Sequence, residues 1–226
     1  DEVKAEIDQG GKVSLGYWWS DQASLTLNKV SVRYSNSTGT TTKTTPKSDA
    51  SESSGGEVAV KTGEVPTKDE VNAMTSAQIV DNIKVGWNLG NTLDSYNTNS
   101  SDTETGWGNP KTTKAMIETV QKAGFNAIRI PVTWGEHMSA DGTIDTAWMA
   151  RVKEVVDYAY DAGLYVILNV HHDDALWLVP TNDKLENDKA TLTNIWKQIC
   201  ATFQDYDHRL IFEGMNEPRV IGSATE

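Results

Sequence analysis

Apolar side chains recur along the later part of the chain in two alternating rhythms, one of period two and one near the helical repeat. Apolar-rich runs over 125–130, 164–170 and 210–213 predict strands, and Val85-Gly86-Trp87-Asn88-Leu89-Gly90 predicts another before them. Helical stripes lie between these runs. Thr112 or Thr113 can cap a helix carrying Met116, Ile117 and Val120 on one face, with Gly124 beyond its end. Asp145 caps a second, with Trp148, Val152, Val155, Val156 and Ala159 on one stripe and Gly163 after it. A third helix is expected over 189–203, and a short amphipathic segment over 76–83 precedes the whole series. Strands recurring about every 40 residues, each followed by a helix, indicate parallel βα units.

Four such units are present, which makes the fold class α/β. A complete eight-unit barrel needs roughly 250 residues, so the pattern reads as the first half of a TIM (β/α)8 barrel occupying residues 67–226. Half a barrel leaves its first and fourth strands as expected bare edges. An open doubly wound sheet competes, but no Gly-rich phosphate turn follows the first strand. The front of the chain is different. Leu25, Leu27, Val30, Val32 and Tyr34 alternate with polar residues as in two antiparallel strands, so residues 1–34 read as the carboxyl-terminal part of a β-sandwich module. Residues 35–66 are Ser, Thr, Gly, Lys and Glu with scarcely a large side chain. They are expected to form a flexible linker, because such a composition cannot offset the entropy of ordering.

Charge narrows the partners. A formal net charge of -12 repels phosphate backbones and suits a neutral ligand, so no nucleic acid is expected. No apolar run approaches membrane-spanning length, and no membrane partner is expected either. The single cysteine, Cys200, sits in a helical run without a basic partner and reads as a buried, inert thiol. One Cys and four His in no ligand-like spacing give no reason to expect a metal or cofactor.

Strand alternation then sorts residues by face. With Ile128 and Ile130 turned to the helices, Arg129 points into the barrel; with Val166, Leu168 and Val170 outward, Ile167, Asn169 and His171 point inward. Glu213 and Glu217 share a face, and His172 joins the inner set only if its strand has already broken into a loop. Polar residues thus converge at the carboxyl ends of consecutive strands, where such barrels hold their chemistry. Taken alone, Arg129 serves equally as a structural anchor or a site residue, as do the paired histidines. Glu213 lies lower in its strand and suits a structural hydrogen bond. Glu217, between Asn216 and Pro218, is the strongest candidate for catalysis.

Five runs carry a family resemblance in order along the chain. They are Gly86-Trp87-Asn88-Leu89-Gly90-Asn91-Thr92-Leu93-Asp94, Glu104-Thr105-Gly106-Trp107-Gly108-Asn109-Pro110, and Gly124-Phe125-Asn126-Ala127-Ile128-Arg129-Ile130-Pro131-Val132-Thr133-Trp134. The others are Val166-Ile167-Leu168-Asn169-Val170-His171-His172 and Phe212-Glu213-Gly214-Met215-Asn216-Glu217-Pro218-Arg219. Residues 81–219 resemble the first half of a glycoside hydrolase family 5 enzyme, of the bacterial endoglucanase subgroup with broad β-1,4-glucan specificity. The resemblance implies endo-acting, retaining hydrolysis of cellulose or related β-glucans by a secreted, monomeric enzyme without a cofactor. It makes Glu217 the general acid/base and Asn216 the partner of the sugar 2-hydroxyl. Arg129 would orient the nucleophilic carboxylate, His171 and His172 would bind sugar hydroxyls or orient the carboxylates, and Asn91 would line the same subsite.

The resemblance also places the nucleophile, a glutamate of the seventh strand, beyond Glu226. Glu213 cannot replace it, since four residues along one strand span about 13 Å and a retaining pair stands roughly 5–5.5 Å apart. The 226-residue chain is therefore expected not to hydrolyse glucan. A xyloglucanase or β-mannanase of the same family, or a non-catalytic glucan-binding fragment, are the alternatives. Trp107, Trp134 and Trp177 lie in or beside loops after strands and are candidate platforms for the apolar faces of sugars. Trp87, Trp148 and Trp196 read as core, and Tyr17-Trp18-Trp19 suggests that the front module binds carbohydrate.

Overall fold

The alternation resolves into one sheet whose strands all run the same way. The computed structural model describes Val13–Ser14 and residues 65–220. Apart from those two residues, the expected β-sandwich fragment, Tyr17-Trp18-Trp19 and nearly all of the linker lie outside the described residues. Strands β1 (Val13–Ser14), β2 (Val85–Asn88), β3 (Ala127–Ile130), β4 (Tyr165–Asn169) and β5 (Leu210–Glu213) pair in chain order, each parallel to the next. A doubly wound sheet reverses its strand order at a switch point; β2 to β5 do not, as in a segment of a barrel wall. The bare edge expected at β2 is not found. Instead Val13 pairs with Val85 and Ser14 with Gly86, so β1 covers that edge over two residues, while among the described residues β5 has β4 as its one partner.

Helices α3 (Lys114–Lys122), α4 (Thr146–Asp161) and α5 (Leu185–Phe203) connect the strands. α4 matches its sequence signals closely. The Asp145 carboxylate accepts from the N–H groups of Ala147 and Trp148, all five expected stripe residues are buried, and Gly163 turns the chain with φ 79°. α3 is capped by Thr113, whose side chain accepts from the Met116 N–H, whereas Thr112 is buried. Of its expected stripe Ile117 is buried, Val120 is half-buried and Met116 is exposed, since a nine-residue helix presents only a narrow contact face. α5 begins at Leu185, four residues before the expected start at 189.

Ile128, Ile130, Val166, Leu168 and Val170 are fully buried against Val152, Val155 and Val156 of α4 and Ile195 and Ile199 of α5. Each such side chain contributes about 1.5–3 kcal/mol of burial. A smaller cluster closes the other face at its amino-terminal end. There Val71 of α1 (Lys68–Asn72) and Ile79 of α2 (Ser76–Asn82), with Met74 between them, pack on Ala127 and Tyr165. Capping boxes, Thr67 with Glu70 and Thr75 with Gln78, start these two short helices. The inner face is thus plugged with apolar groups at one end, and its polar residues remain at the carboxyl end.

Three residues depart from expectation. Cys200 is exposed, not buried, because it falls on a side of α5 that no described element covers. Trp196 is half-buried; its indole N–H donates to the Gly214 carbonyl and its ring packs at 5.3 Å from the exposed Phe212. Trp148 is core as expected and stacks on His137 at 3.6 Å, while Trp87 is half-buried against Phe125. Among the described residues no helix is long and apolar enough to cross a membrane.

Candidate active site

Inward parity brings Arg129, Asn169 and Glu213 together at the carboxyl end of three adjacent strands. Arg129 Nε donates to Glu213 Oε2 at 2.7 Å and Nη2 to Oε1 at 2.6 Å, a bidentate fork spanning β4. Nη1 donates to Asn88 Oδ1 at 3.2 Å, and Nη2 also reaches Asn216 Oδ1 at 3.0 Å. Asn169 Nδ2 donates to Glu213 Oε1 at 3.1 Å. The Arg129 fork, helped by Asn169 and against partial burial, holds the Glu213 carboxyl below its usual range. Glu213 therefore has the structural role expected of it, and Arg129 is the anchor of Glu213 and Asn216.

The next layer is aromatic and titratable. His171 Nδ1 lies 3.0 Å from Asn169 Nδ2, and its Nε2 is 4.0 Å from Asp94 Oδ2; His172 Nε2 is 3.7 Å from the same oxygen. Burial, with the neighbouring His172 and Arg129, pushes the His171 imidazole down to about 3 against the pull of Glu213, so the ring is neutral. Burial raises the Asp94 carboxyl despite the N–H groups of Thr92 and Asn91 that favour its ionised form. Asp94, His171 and His172 bring three ligand atoms within 4.8 Å of one another. A carboxylate and two imidazoles suit a zinc-like ion only where both Nε2 atoms present lone pairs.

Trp107 is 38% exposed and its ring lies 5.5 Å from His172 and 5.4 Å from Tyr96. Its loop is fastened from behind: buried Glu104 accepts two bonds of 2.8 Å from Arg151 of α4 and one from the Thr112 N–H. Trp107 is thus an exposed ring on a fixed support beside the histidines, as a sugar platform requires. Trp134 is not. It is 0% exposed, with its indole N–H donated to the Asn169 carbonyl at 3.0 Å, so the platform expected there is corrected to a core residue. Hydrogen bonds from the Trp134 and Gly135 N–H groups to Asp173 hold the chain after β3 against the loop that follows β4.

Trp177 is half-buried and held by Asp173, whose Oδ1 accepts from the indole N–H at 2.7 Å. The same carboxylate accepts from the backbone N–H groups of Gly135 at 2.7 Å and Trp134 at 3.1 Å, tying the loops after β3 and β4 together. A Cβ on Gly135 would stand 2.9 Å from the Trp177 ring, so that close approach requires glycine. Burial raises Asp173 to about 6 against its three N–H donors.

Asn216 and Glu217 follow β5. The Asn216 N–H donates to the Val170 carbonyl, and its Oδ1 is occupied by Arg129, which leaves the amide Nδ2 to donate elsewhere. Glu217 is left-handed at φ 35°, a strained conformation for a residue before proline. Its side chain is 68% exposed, 3.8 Å from Arg219 Nη1, and Arg219 Nε in turn donates to buried Asp174 at 3.2 Å. Asn91 is exposed and left-handed at φ 60°, with its backbone N–H turned to Asp94; the strand before it supplies Asn88 to Arg129. Sequence reasoning misses Asn88, Asp94, Tyr96 and Asp173 as site residues, and places Asn169 inward without a role. Asp94 closes the first of the motif runs, and that place is the sequence signal that could have found it.

A consecutive parallel sheet thus carries, beyond its carboxyl ends, a glutamate, an arginine-anchored asparagine and an exposed tryptophan on a braced loop. The family model for cellulase (glycosyl hydrolase family 5) matches residues 91–226. The chain belongs to glycosyl hydrolase family 5. It is 52% identical over 155 residues to the cellulase/esterase CelE of Acetivibrio thermocellus, covering 68% of this chain and 18% of that protein. A broad-specificity endoglucanase structure from Clostridium longisporum matches at 49% identity and TM-score 0.65, over 68% of this chain and 45% of that one. A xyloglucan-specific endo-β-1,4-glucanase from a metagenomic library, solved with cellotriose, matches at 50% identity and TM-score 0.63, over 70% of this chain and 46% of that one. The chain spans less than half the length of each.

Proposed function

We propose that this chain carries the acid/base half of a retaining endo-β-1,4-glucanase acting on cellulose or a related β-glucan. The observation that carries the reading is the Asn216–Glu217 pair at the carboxyl end of β5, with Asn216 Oδ1 pinned by Arg129. Pinning that oxygen turns Nδ2 outward as a donor for the sugar 2-hydroxyl, a bond that strengthens at the transition state. Glu217 protonates the leaving glycosidic oxygen while a second carboxylate attacks the anomeric carbon; it then takes a proton from the water that releases the sugar. His171 and His172 bind sugar hydroxyls, Trp107 underlies a sugar ring, and Trp177 borders the cleft.

The attacking carboxylate is not Glu213. Both of its oxygens are held by Arg129, and one also by Asn169. The nucleophile belongs, on this reading, to a longer polypeptide, secreted and monomeric, and the 226 residues alone do not turn over glucan. A xyloglucanase is the second reading, since a xyloglucan-specific relative is as similar to this chain, at 50% identity, as the broad-specificity endoglucanases are.

The test joins residues 67–226 to the carboxyl-terminal remainder of the Clostridium longisporum endoglucanase. Reducing ends released from carboxymethylcellulose, xyloglucan, mannan and xylan are then measured. The expected result is turnover of the β-glucans by the chimera, a fall of about 10²–10⁴-fold in Glu217→Gln, and none by the 226-residue chain. A folded chimera without activity, or a Glu217→Gln variant as active as its parent, overturns the proposal.

A further inference from the structure

The Asn169 amide is oriented from two sides independently. On one side the Val132 N–H, which can only donate, lies 3.2 Å from the Asn169 oxygen. On the other, Glu213 is an ionised acceptor held by the Arg129 fork, and it faces Asn169 Nδ2 at 3.1 Å. A flipped amide would set N–H against N–H at one end and oxygen against carboxylate at the other. Nδ2 is therefore fixed as the donor, and it is this atom that meets His171 Nδ1 at 3.0 Å.

We propose that Asn169 is a positioning residue that locks His171 in the neutral tautomer with its proton on Nε2. Nδ1 must accept from the amide, so in a neutral ring the hydrogen resides on the other nitrogen. The consequence reaches the cleft. Nε2, 4.0 Å from Asp94 Oδ2, is presented as a donor, and His171 offers a hydrogen bond to an acceptor oxygen instead of a lone pair. The Asp94–His171–His172 cluster then lacks one of the ligands a metal ion would need, and its residues are left to face sugar hydroxyls. That role for His171 rests on the glucanase reading; the tautomer does not.

The charged and titratable neighbours of the ring agree with the assignment. Asp94 and His172 lie on the Nε2 side, and Arg129 and Glu213 lie beyond Asn169. An imidazolium would set an Nδ1–H against the amide hydrogens, an arrangement that burial of the ring further disfavours.

The test is a two-bond proton–nitrogen correlation spectrum of the 15N-histidine-labelled full chain at about neutral pH, where an unperturbed imidazole is mostly uncharged. His171→Gln assigns the signal by its loss. The expected spectrum shows His171 with a bare Nδ1 and a protonated Nε2. Asn169→Asp puts an acceptor against Nδ1 and is expected to move the proton there or to charge the ring. Asn169→Leu removes the donor and is expected to give a mixture of tautomers. Wild type showing a protonated Nδ1 overturns the proposal even if neither variant folds, and so does a folded variant that keeps the wild-type pattern. No glucan is present, so a failure of the glucanase reading leaves this result unaffected.

Discussion

Replacing Asp173 by asparagine separates two opposing effects on one buried carboxylate. Its Oδ1 accepts from the Gly135 N–H and the Trp177 indole, its Oδ2 from the Trp134 N–H, and it is 0% exposed. An asparagine oxygen in the Oδ1 place retains two of these bonds but sets an NH₂ against the Trp134 N–H. Leaving that donor unsatisfied costs about 1–3 kcal/mol. The charge acts in the other direction. Burial raises the carboxyl to about 6 from an ordinary 3.8, which corresponds to ~3 kcal/mol of penalty on the ionised form. A carboxyl raised on folding favours the native state when protonated, so this contribution is present at low pH and is lost as pH rises from 3.8 through about 6. Asparagine does not titrate. The Asp173→Asn variant is therefore expected to be less stable than wild type at about pH 4.5 and equal or more stable at about pH 7.5. Urea denaturation followed by tryptophan fluorescence, at low protein concentration, measures the difference. A gap that is constant with pH, or that widens as pH rises, refutes the reasoning by showing that the three N–H donors outweigh burial.

The tryptophans divide in the same way. Trp107→Ala is expected to weaken cello-oligosaccharide binding about tenfold by calorimetry, from loss of an aromatic contact near 1.4 kcal/mol, with little change in melting. Trp134→Ala removes a fully buried ring and is expected to cost about 3–5 kcal/mol of stability, which thermal melting will read. Glu213→Gln leaves Arg129 without its charged partner; because both side chains are about a quarter to a third exposed, the expected loss is only about 1–2 kcal/mol. Since the Glu213 carboxyl is held low, wild type keeps that stability above the ordinary 4.5 and loses it as pH falls through the lowered folded value; a variant loss that persists in strong acid would contradict the pairing. The edge of β5 beside exposed Phe212 predicts self-association of the chain, and a monodisperse monomer on size exclusion would argue against it.

What the sequence reveals is what repeats. The α4 stripe, its Asp145 cap, the limits of β5 and the inward parity of Arg129 and His171 all follow from period and from single-residue chemistry. The loops follow no period. Trp134 sits after a strand, where cleft residues are expected, yet its ring turns into the core to meet Asn169, 35 positions later. Asp173 is joined to Trp134 and Gly135 across 39 and 38 positions. Such contacts depend on how two loops pass each other, which neither loop encodes alone. Cys200 fails for a related reason: a helix position reads as buried only relative to the partner that covers it.

Azide rescue tests the central claim most directly. A Glu217→Ala form of the chimera, given an aryl β-cellobioside with an activated leaving group, can still form the glycosyl–enzyme but has no base to recruit water. The account predicts that azide restores turnover severalfold and that the product is a β-cellobiosyl azide, with no such gain in the Glu217 parent. A variant that azide does not rescue, or a product of inverted configuration, would contradict Glu217 as the acid/base of a retaining glucanase.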